Sequence, residues 1–370
     1  MAIFEPNDDQ KLLSDSVARF IERSYDDAAR IKMTGEEFNP ERWASMAELG
    51  WLMLPFQEAD GGMQAEGRTG AGDIATLYEA MGPGQIIEPI LATSVLAGGL
   101  IAQATGPARN GDLIGEIAAG AARASAALHE PRTRFDLMHC ETTAAQADGG
   151  WRLDGVKSMA LGAPGADYLI ILARAGGAPG DDGASVALFL VPADAPGVTL
   201  KPYRLRDDHW AADVTLKDVR LPESAVLSPA GEAAALVNLV VDQTRFAMAA
   251  ELVGLAQRLT GDTVGYAGVR SQFGVPIGSF QVLQHRMVDM DVGVETARSL
   301  VYRAAGLAEE GWTDEARACA RRAYAAASET AMTVAKHAVQ IHGGMGMTED
   351  VPVGRLFRRV YAIALMFSED

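Results

Sequence analysis

The sequence predicts an α+β chain of several parts, with helices first, strands in the middle and helices again at the end. Apolar residues recur at helical spacing up to about residue 120 and again from Gly231, and short β-prone runs broken by turn residues fill the interval. Length adds the division into parts: single cores stop growing near about 250 to 300 residues, and this chain has 370.

The first helical region rests on Leu12, Leu13, Val17, Phe20 and Ile21, then on Trp43, Met46, Ala47 and Leu49, with Gly50 as a stop. Asp60 to Gly72 (DGGMQAEGRTGAG) reads as a loop between helices. We place this domain at 1–124. From 125 to 230 the β-prone runs are Trp151 to Leu153, Tyr168 to Ala173, Ser185 to Val191, Val198 to Leu200 and Ala212 to Leu216. Their separators QADGG, GGAPGDDG and PADAPG are turn signals. From 231 to 370, Ala, Leu, Arg and Glu return at high density with few helix breakers.

Composition narrows the function. A formal charge of -17 disfavours nucleic acid, whose phosphates are held by clustered Lys and Arg. An anionic cofactor would need local Arg side chains, backbone N–H groups or helix N-termini. Cys140 and Cys319 stand far apart with no CxxC spacing, so neither a disulfide framework nor a zinc site is expected. His337 and His342 are off the spacing of a helical metal pair, and no metal is expected. The acidic start carries no apolar signal core and no run of about 18 apolar residues occurs, so a cytoplasmic chain without a membrane span is expected.

The most informative stretches are Tyr266 to His285, YAGVRSQFGVPIGSFQVLQH, and Gln340 to Thr348, QIHGGMGMT. With the helix, strand, helix order they resemble the acyl-CoA dehydrogenase family across nearly the whole chain. The resemblance implies an N-terminal helical domain, a central β domain of two packed sheets or barrel-like form, and a C-terminal four-helix bundle. It also implies FAD, an acyl-CoA substrate and an electron-transferring flavoprotein. Arg270, Phe273, Gln281, Gln340, Gly343 and Gly344 then correspond to residues that contact the FAD of a neighbouring subunit. Their chemistry suits such a contact, since Arg270 offers a permanently charged planar fork, the glycines allow close backbone approach, and Phe273 can pack on a flat ring.

The segments that serve a chain's own flavin depart from the family pattern. Ala127 to Asp136 reads ALHEPRTRFD, with Leu128 and His129 at the flavin contacts and His129 where the family carries Thr. Gly155 to Gly162 reads GVKSMALG, with Leu161 in place of Thr or Ser and Met159 where an aromatic ring is common. A leucine donates no side-chain hydrogen bond to a flavin edge. The family abstracts the α-proton of an acyl-CoA with a carboxylate while the β-hydride goes to the flavin. The two usual positions of that base match Phe367 and Thr244, the residue before Arg245.

Glu251, seven residues beyond Thr244, returns to nearly the same helix face about 10 Å further along, and is the alternative base. It could equally be paired with Arg258 or Arg245; Asp242 and Glu369 are weaker choices. Arg355, Arg358 and Arg359 read as a solvated or subunit-pairing basic face. The expectation is the small, non-catalytic subunit of a heteromeric dehydrogenase whose homologous larger chain supplies base and flavin-ring contacts, as in relatives acting on steroid side-chain or pimeloyl-type thioesters. The alternatives are a self-sufficient homotetramer using Glu251, and a flavin-binding scaffold without redox chemistry.

Overall fold

The computed structural model describes residues 6–133, 136–180 and 183–367. Helices α1 (Asp8–Ser24), α2 (Asp27–Lys32), α3 (Pro40–Glu48), α4 (Ala71–Met81), α5 (Gly98–Ala102) and α6 (Gly111–Ala118) form the N-terminal helical part. Strands β1 (Ala124–Ala127), β2 (Thr143–Ala147), β3 (Gly150–Leu161), β4 (Tyr168–Arg174), β5 (Val186–Pro192), β6 (Val198–Arg204), β7 (Trp210–Pro222) and β8 (Val226–Ser228) form the centre. The C-terminal bundle holds α7 (Ala233–Val269), α8 (Gln281–Ala308), α9 (Asp314–His342) and α10 (Val353–Met366), with a small hairpin of β9 (Ser271–Gln272) and β10 (Val275–Pro276) between the first two. This is the expected order of helical domain, sheet domain and helical bundle.

Two compact units divide the chain. The first comprises 6–34, Gly70–Ile86 and 245–367; the second comprises Gly35–Thr69 and Ile87–Thr244. In the first unit, helix starts follow local chemistry. Asn7 caps α1 in a reciprocal box with Gln10, and Thr313 caps α9 by accepting from the Ala316 N–H. Helix α9 turns Ala316, Ala320, Ala323, Ala327, Ala331, Ala335 and Ala338 inward, and α8 answers with Ala297, Val301, Ala304 and Ala308. Small residues at three- and four-residue spacing let these two long helices pack closely.

Helices α4 and α7 approach to backbone contact. A Cβ on Gly254 would lie 2.0 Å from the Glu79 carbonyl oxygen, and one on Gly82 would lie 2.7 Å from the Glu251 carbonyl oxygen. Gly254→Ala is therefore expected to lower stability by about 1–3 kcal/mol through overpacking against backbone that has no rotamer to yield. Urea denaturation of the purified variant measures it; an unchanged midpoint would remove the close contact.

In the second unit, eight strands form one sheet in the order β6-β7-β3-β2-β4-β5-β8, with β1 parallel to β4. Leu169, Ile171 and Ala173 of β4, Ala187, Phe189 and Val191 of β5, and Ala212, Val214 and Leu216 of β7 alternate into one buried cluster. Strand β4 is buried on both faces from Leu169 to Ala173, which is why it reads as an unbroken apolar run. All five β-prone runs of the sequence are strands. Strands β1, β2 and β8 carry no such signal: ASAA and TAAQA are alanine-rich and β8 has three residues.

Among the described residues, no helix is long and apolar enough to cross a membrane.

Candidate functional site

In the helical unit, the hairpin and the end of α9 bring the two informative motifs together. The ring of Tyr266 stacks on His342 with centroids 4.3 Å apart, and the His342 Nδ1 position is bonded to the Ala338 carbonyl at 2.8 Å. The Arg270 carbonyl accepts from the Ile277 N–H at 2.8 Å and closes the hairpin. Arg270, Phe273, Gln281, Gln340, Gly343 and Gly344 are all exposed. Among the described residues no carboxylate pairs with Arg270, so its guanidinium is available to an anion. An added Cβ on Gly343 or Gly344 would meet nothing within 4 Å, and Gly343 holds a positive φ of 59°.

Phe273 is 91% exposed. It is the first residue of a two-residue turn in which Phe273 and Gly274 have φ of 55° and 84°. Two positive φ values are the type I′ pattern, which favours Asn-Gly. An aromatic residue there bears backbone strain of about 1–2 kcal/mol and leaves its ring in water, with the ring of Phe280 edge-on to it at 6.2 Å between centroids.

In the sheet unit, the segments that match the own-flavin pattern are differently disposed. Leu128 and His129 are buried and Leu161 is half-buried. The His129 carbonyl accepts from the Ser158 N–H at 2.9 Å, and the Leu161 carbonyl from the Ser125 hydroxyl at 2.7 Å, so both segments are fixed to the sheet. Between Lys157 and Ala160 the β3–β7 register shifts, and Met159 there has a φ of 53°. A bulge with a non-glycine residue at positive φ re-aims its side chain at a conformational cost.

Behind these segments sits a polar cluster that the sequence motifs contain but do not mark out. The Lys157 ammonium, fully buried, donates to the Glu130 carboxylate at 2.6 Å. Glu130 also accepts from the Glu141 and Thr142 N–H groups at 2.8 and 3.0 Å. Burial opposes its ionisation, but Lys157 and the Thr142 hydrogen bonds outweigh that and hold the carboxyl down at about 2. Burial pushes the neighbouring Cys140 thiol up to about 11, so it stays protonated. The signal that could have found the cluster is a Glu and a Lys standing inside two family-matched motifs.

At the two usual positions of the base, Thr244 is buried with its hydroxyl donating to the Val240 carbonyl at 2.8 Å, and Phe367 is buried. Neither Thr244 nor Phe367 can take up a proton as a base. Arg245 donates through Nε and Nη2 to the Phe367 carbonyl at 3.1 and 3.0 Å. Asp242 is buried, and Glu369 lies outside the described residues.

Glu251 is 4% exposed and fully engaged: Arg359 Nε donates to Oε1 at 2.6 Å and Nη2 to Oε2 at 2.8 Å. The partner is not Arg258, which pairs with Asp262 and Asp27, nor Arg245. Helix α10 carries Arg359 back beside α7 from 108 positions away, a contact that no local pattern reveals. Nor do Arg355 and Arg358 stand alone as a basic face: Asp27 pairs with Arg355, and Glu349 with both.

These features define a helix–sheet–helix chain that exposes an arginine, an aromatic ring and open glycine backbone on its helical unit. The N-terminal, middle and C-terminal acyl-CoA dehydrogenase domain models match residues 7–120, 125–219 and 234–366. The chain belongs to the acyl-CoA dehydrogenase family, FAD-dependent oxidoreductases. Benzylmalonyl-CoA dehydrogenase of Aromatoleum aromaticum is 28% identical over 96% of this chain and 93% of its own. The structure of butyryl-CoA dehydrogenase from Megasphaera elsdenii is 25% identical with a TM-score of 0.88, covering 99% of this chain and 96% of that one. The Tcur3481–Tcur3483 steroid ACAD is 28% identical with a TM-score of 0.83, covering 96% and 92%.

The residues fit FAD unequally. The exposed set fits a pyrophosphate and a flat ring through an unpaired guanidinium, open backbone and a presented aromatic side chain. The sheet-unit set offers the buried Leu128 and His129 and the half-buried Leu161.

Proposed function

We propose that this chain is the small, non-catalytic subunit of a heteromeric acyl-CoA dehydrogenase. Its exposed motif residues would contact FAD bound with a homologous larger chain. The observation that carries this reading is Phe273, an aromatic ring set in water on a strained turn, a double cost that one edge contact with Phe280 does little to offset within the chain. Arg270, Gln281, Gln340, Gly343 and Gly344 would complete that surface, while Leu128, His129 and Leu161 would line the weaker side. The absence of a carboxylate at 244 and 367 supports assigning the base to the larger chain. Glu251 as base in a self-sufficient tetramer would require its pair with Arg359 to open first.

When bound, FAD supplies the acceptor for the hydride from the β-carbon. Electrons would leave through an electron-transferring flavoprotein, and the cytoplasm is the compartment. The matched segments support three domains at 1–124, 125–230 and 231–370.

The test is the FAD-to-chain ratio of the protein purified alone and co-expressed with a longer homologous chain. Little flavin alone and about one FAD per pair together is the expected result. One FAD per chain from the lone protein, with turnover of an acyl-CoA, would falsify the reading. Phe273→Asn sharpens it: relief of turn strain should stabilise the lone chain by about 1 kcal/mol, while loss of the ring should weaken FAD retention by the pair about tenfold. Unchanged retention would take Phe273 out of the site.

A further inference from the structure

Helix α8 carries an exposed apolar stripe that neither the chain's own packing nor the proposed FAD surface accounts for. Val282, Val288 and Val292 are 61%, 59% and 59% exposed. His285 and Asp289 lie among them and are exposed as well. At about 100° per residue all five fall within an arc of about 120° on one side of the helix. The opposite side is spent inside the bundle, where Met290, Val294, Ala297 and Val301 are buried. Single exposed valines are ordinary, but three on one face within about three turns are the pattern of a helix that packs against another.

The polar members of the stripe are unspent. His285 and Asp289 stand four apart, the spacing of an intrahelical pair, yet they are not bonded to each other. Among the described residues neither side chain has an ion-pair or hydrogen-bond partner.

We propose that α8 pairs antiparallel with α8 of a second copy of this chain, about a two-fold axis level with Met287. In that register Val282 of each copy meets Val292 of the other, and His285 meets Asp289, so two valine contacts flank two His–Asp contacts. Val288 packs beside the crossing, one residue from the axis. The stripe is complementary to itself, which is what a two-fold contact between identical surfaces requires. That self-match names a second copy, not an unlike chain, as the occupant. A slip of one turn in either direction sets His285 opposite His285 or Asp289 opposite Asp289, and like groups then replace the complementary pair. The polar pair fixes the register while the valines supply the burial, as polar residues do in the seams of coiled coils. In the assembly proposed above, this contact joins two small subunits, each with its own larger chain.

The test is sedimentation equilibrium of the full chain, alone and co-expressed with a longer homologous chain. The wild type should hold two copies of this chain at micromolar concentration. His285→Glu sets a second carboxylate against Asp289, and Asp289→Lys sets a cation against His285; each should weaken the contact about tenfold or more. Both positions are exposed, so the melting temperature should not move. Mixing the two variants should restore the wild-type affinity. The mixed dimer sets a carboxylate against a cation at one contact and keeps the wild-type His–Asp contact at the other. A wild type that is monomeric alone and only one-to-one with the larger chain would overturn the proposal. So would variants that associate like the wild type, or that fail to recover on mixing. The FAD ratio is a separate result: a self-sufficient enzyme would end the small-subunit reading and leave this contact to stand or fall on the mixing experiment.

Discussion

The Arg359→Met chain is expected to unfold about 3–5 kcal/mol more easily than the wild type, the usual result of removing one partner of a buried ion pair. Glu251 is buried and both its oxygens are held by this one guanidinium. Without it, a carboxylate is left in a core of Ala, Leu and Val whose nearby polar group, Tyr78, offers a single hydroxyl. The double variant Glu251→Met, Arg359→Met should recover most or all of the loss, because apolar side chains of similar volume replace a buried pair at little or no cost. Urea midpoints of both variants decide it. A single-variant loss below about 1 kcal/mol would place the pair in the class of exposed salt bridges and would free Glu251 for acid–base work.

That measurement bears on function, because a non-catalytic role for this chain depends partly on what occupies Glu251. Helical spacing put Glu251 on nearly the same helix face as Thr244, and both are buried. It named the wrong arginines, since Arg258 and Arg245 are neighbours in sequence whereas Arg359 is a neighbour only after α10 folds back. The same division runs through the rest of the molecule. Strands β4, β5 and β7 announced themselves through β-branched and aromatic residues in alternation or in unbroken runs. Strand β1 could not, because ASAA has the composition of a helix and becomes a strand only by pairing along β4.

The exposed motif was legible for a different reason. The reading of Arg270, Phe273, Gly343 and Gly344 rests on residue type and local backbone, which the sequence carries directly. What it did not carry was the positive φ of Phe273, the feature that turns a packing residue into a presented one.

Glu130→Gln should flatten the acid limb of the stability curve and also cost about 3–5 kcal/mol at neutral pH, where it strands the buried ammonium of Lys157. In the wild type the Glu130 carboxyl sits at about 2 in the folded chain against 4.5 for the free group. A depressed carboxyl contributes stability that is fully present above the unfolded value and is lost as pH falls toward the folded one. The window therefore runs from about pH 4.5 down to about pH 2. At about 1.4 kcal/mol per unit the whole contribution is about 3 kcal/mol, of which about 1.4 is gone by pH 3.5. The other carboxylates add their own slopes, so the quantity to read is the difference between wild type and variant in urea midpoints from pH 6 to pH 3.5. A narrowing gap as pH falls is expected; a gap constant across that range would mean that Glu130 does not titrate in the window. The same cluster anchors the turn carrying Leu128 and His129, through the Lys157 contact at 3.5 Å with the Leu128 carbonyl. Acid weakening should therefore loosen that turn, seen as faster amide exchange from Ala127 to His129, while the Phe273 hairpin in the other unit keeps its protection.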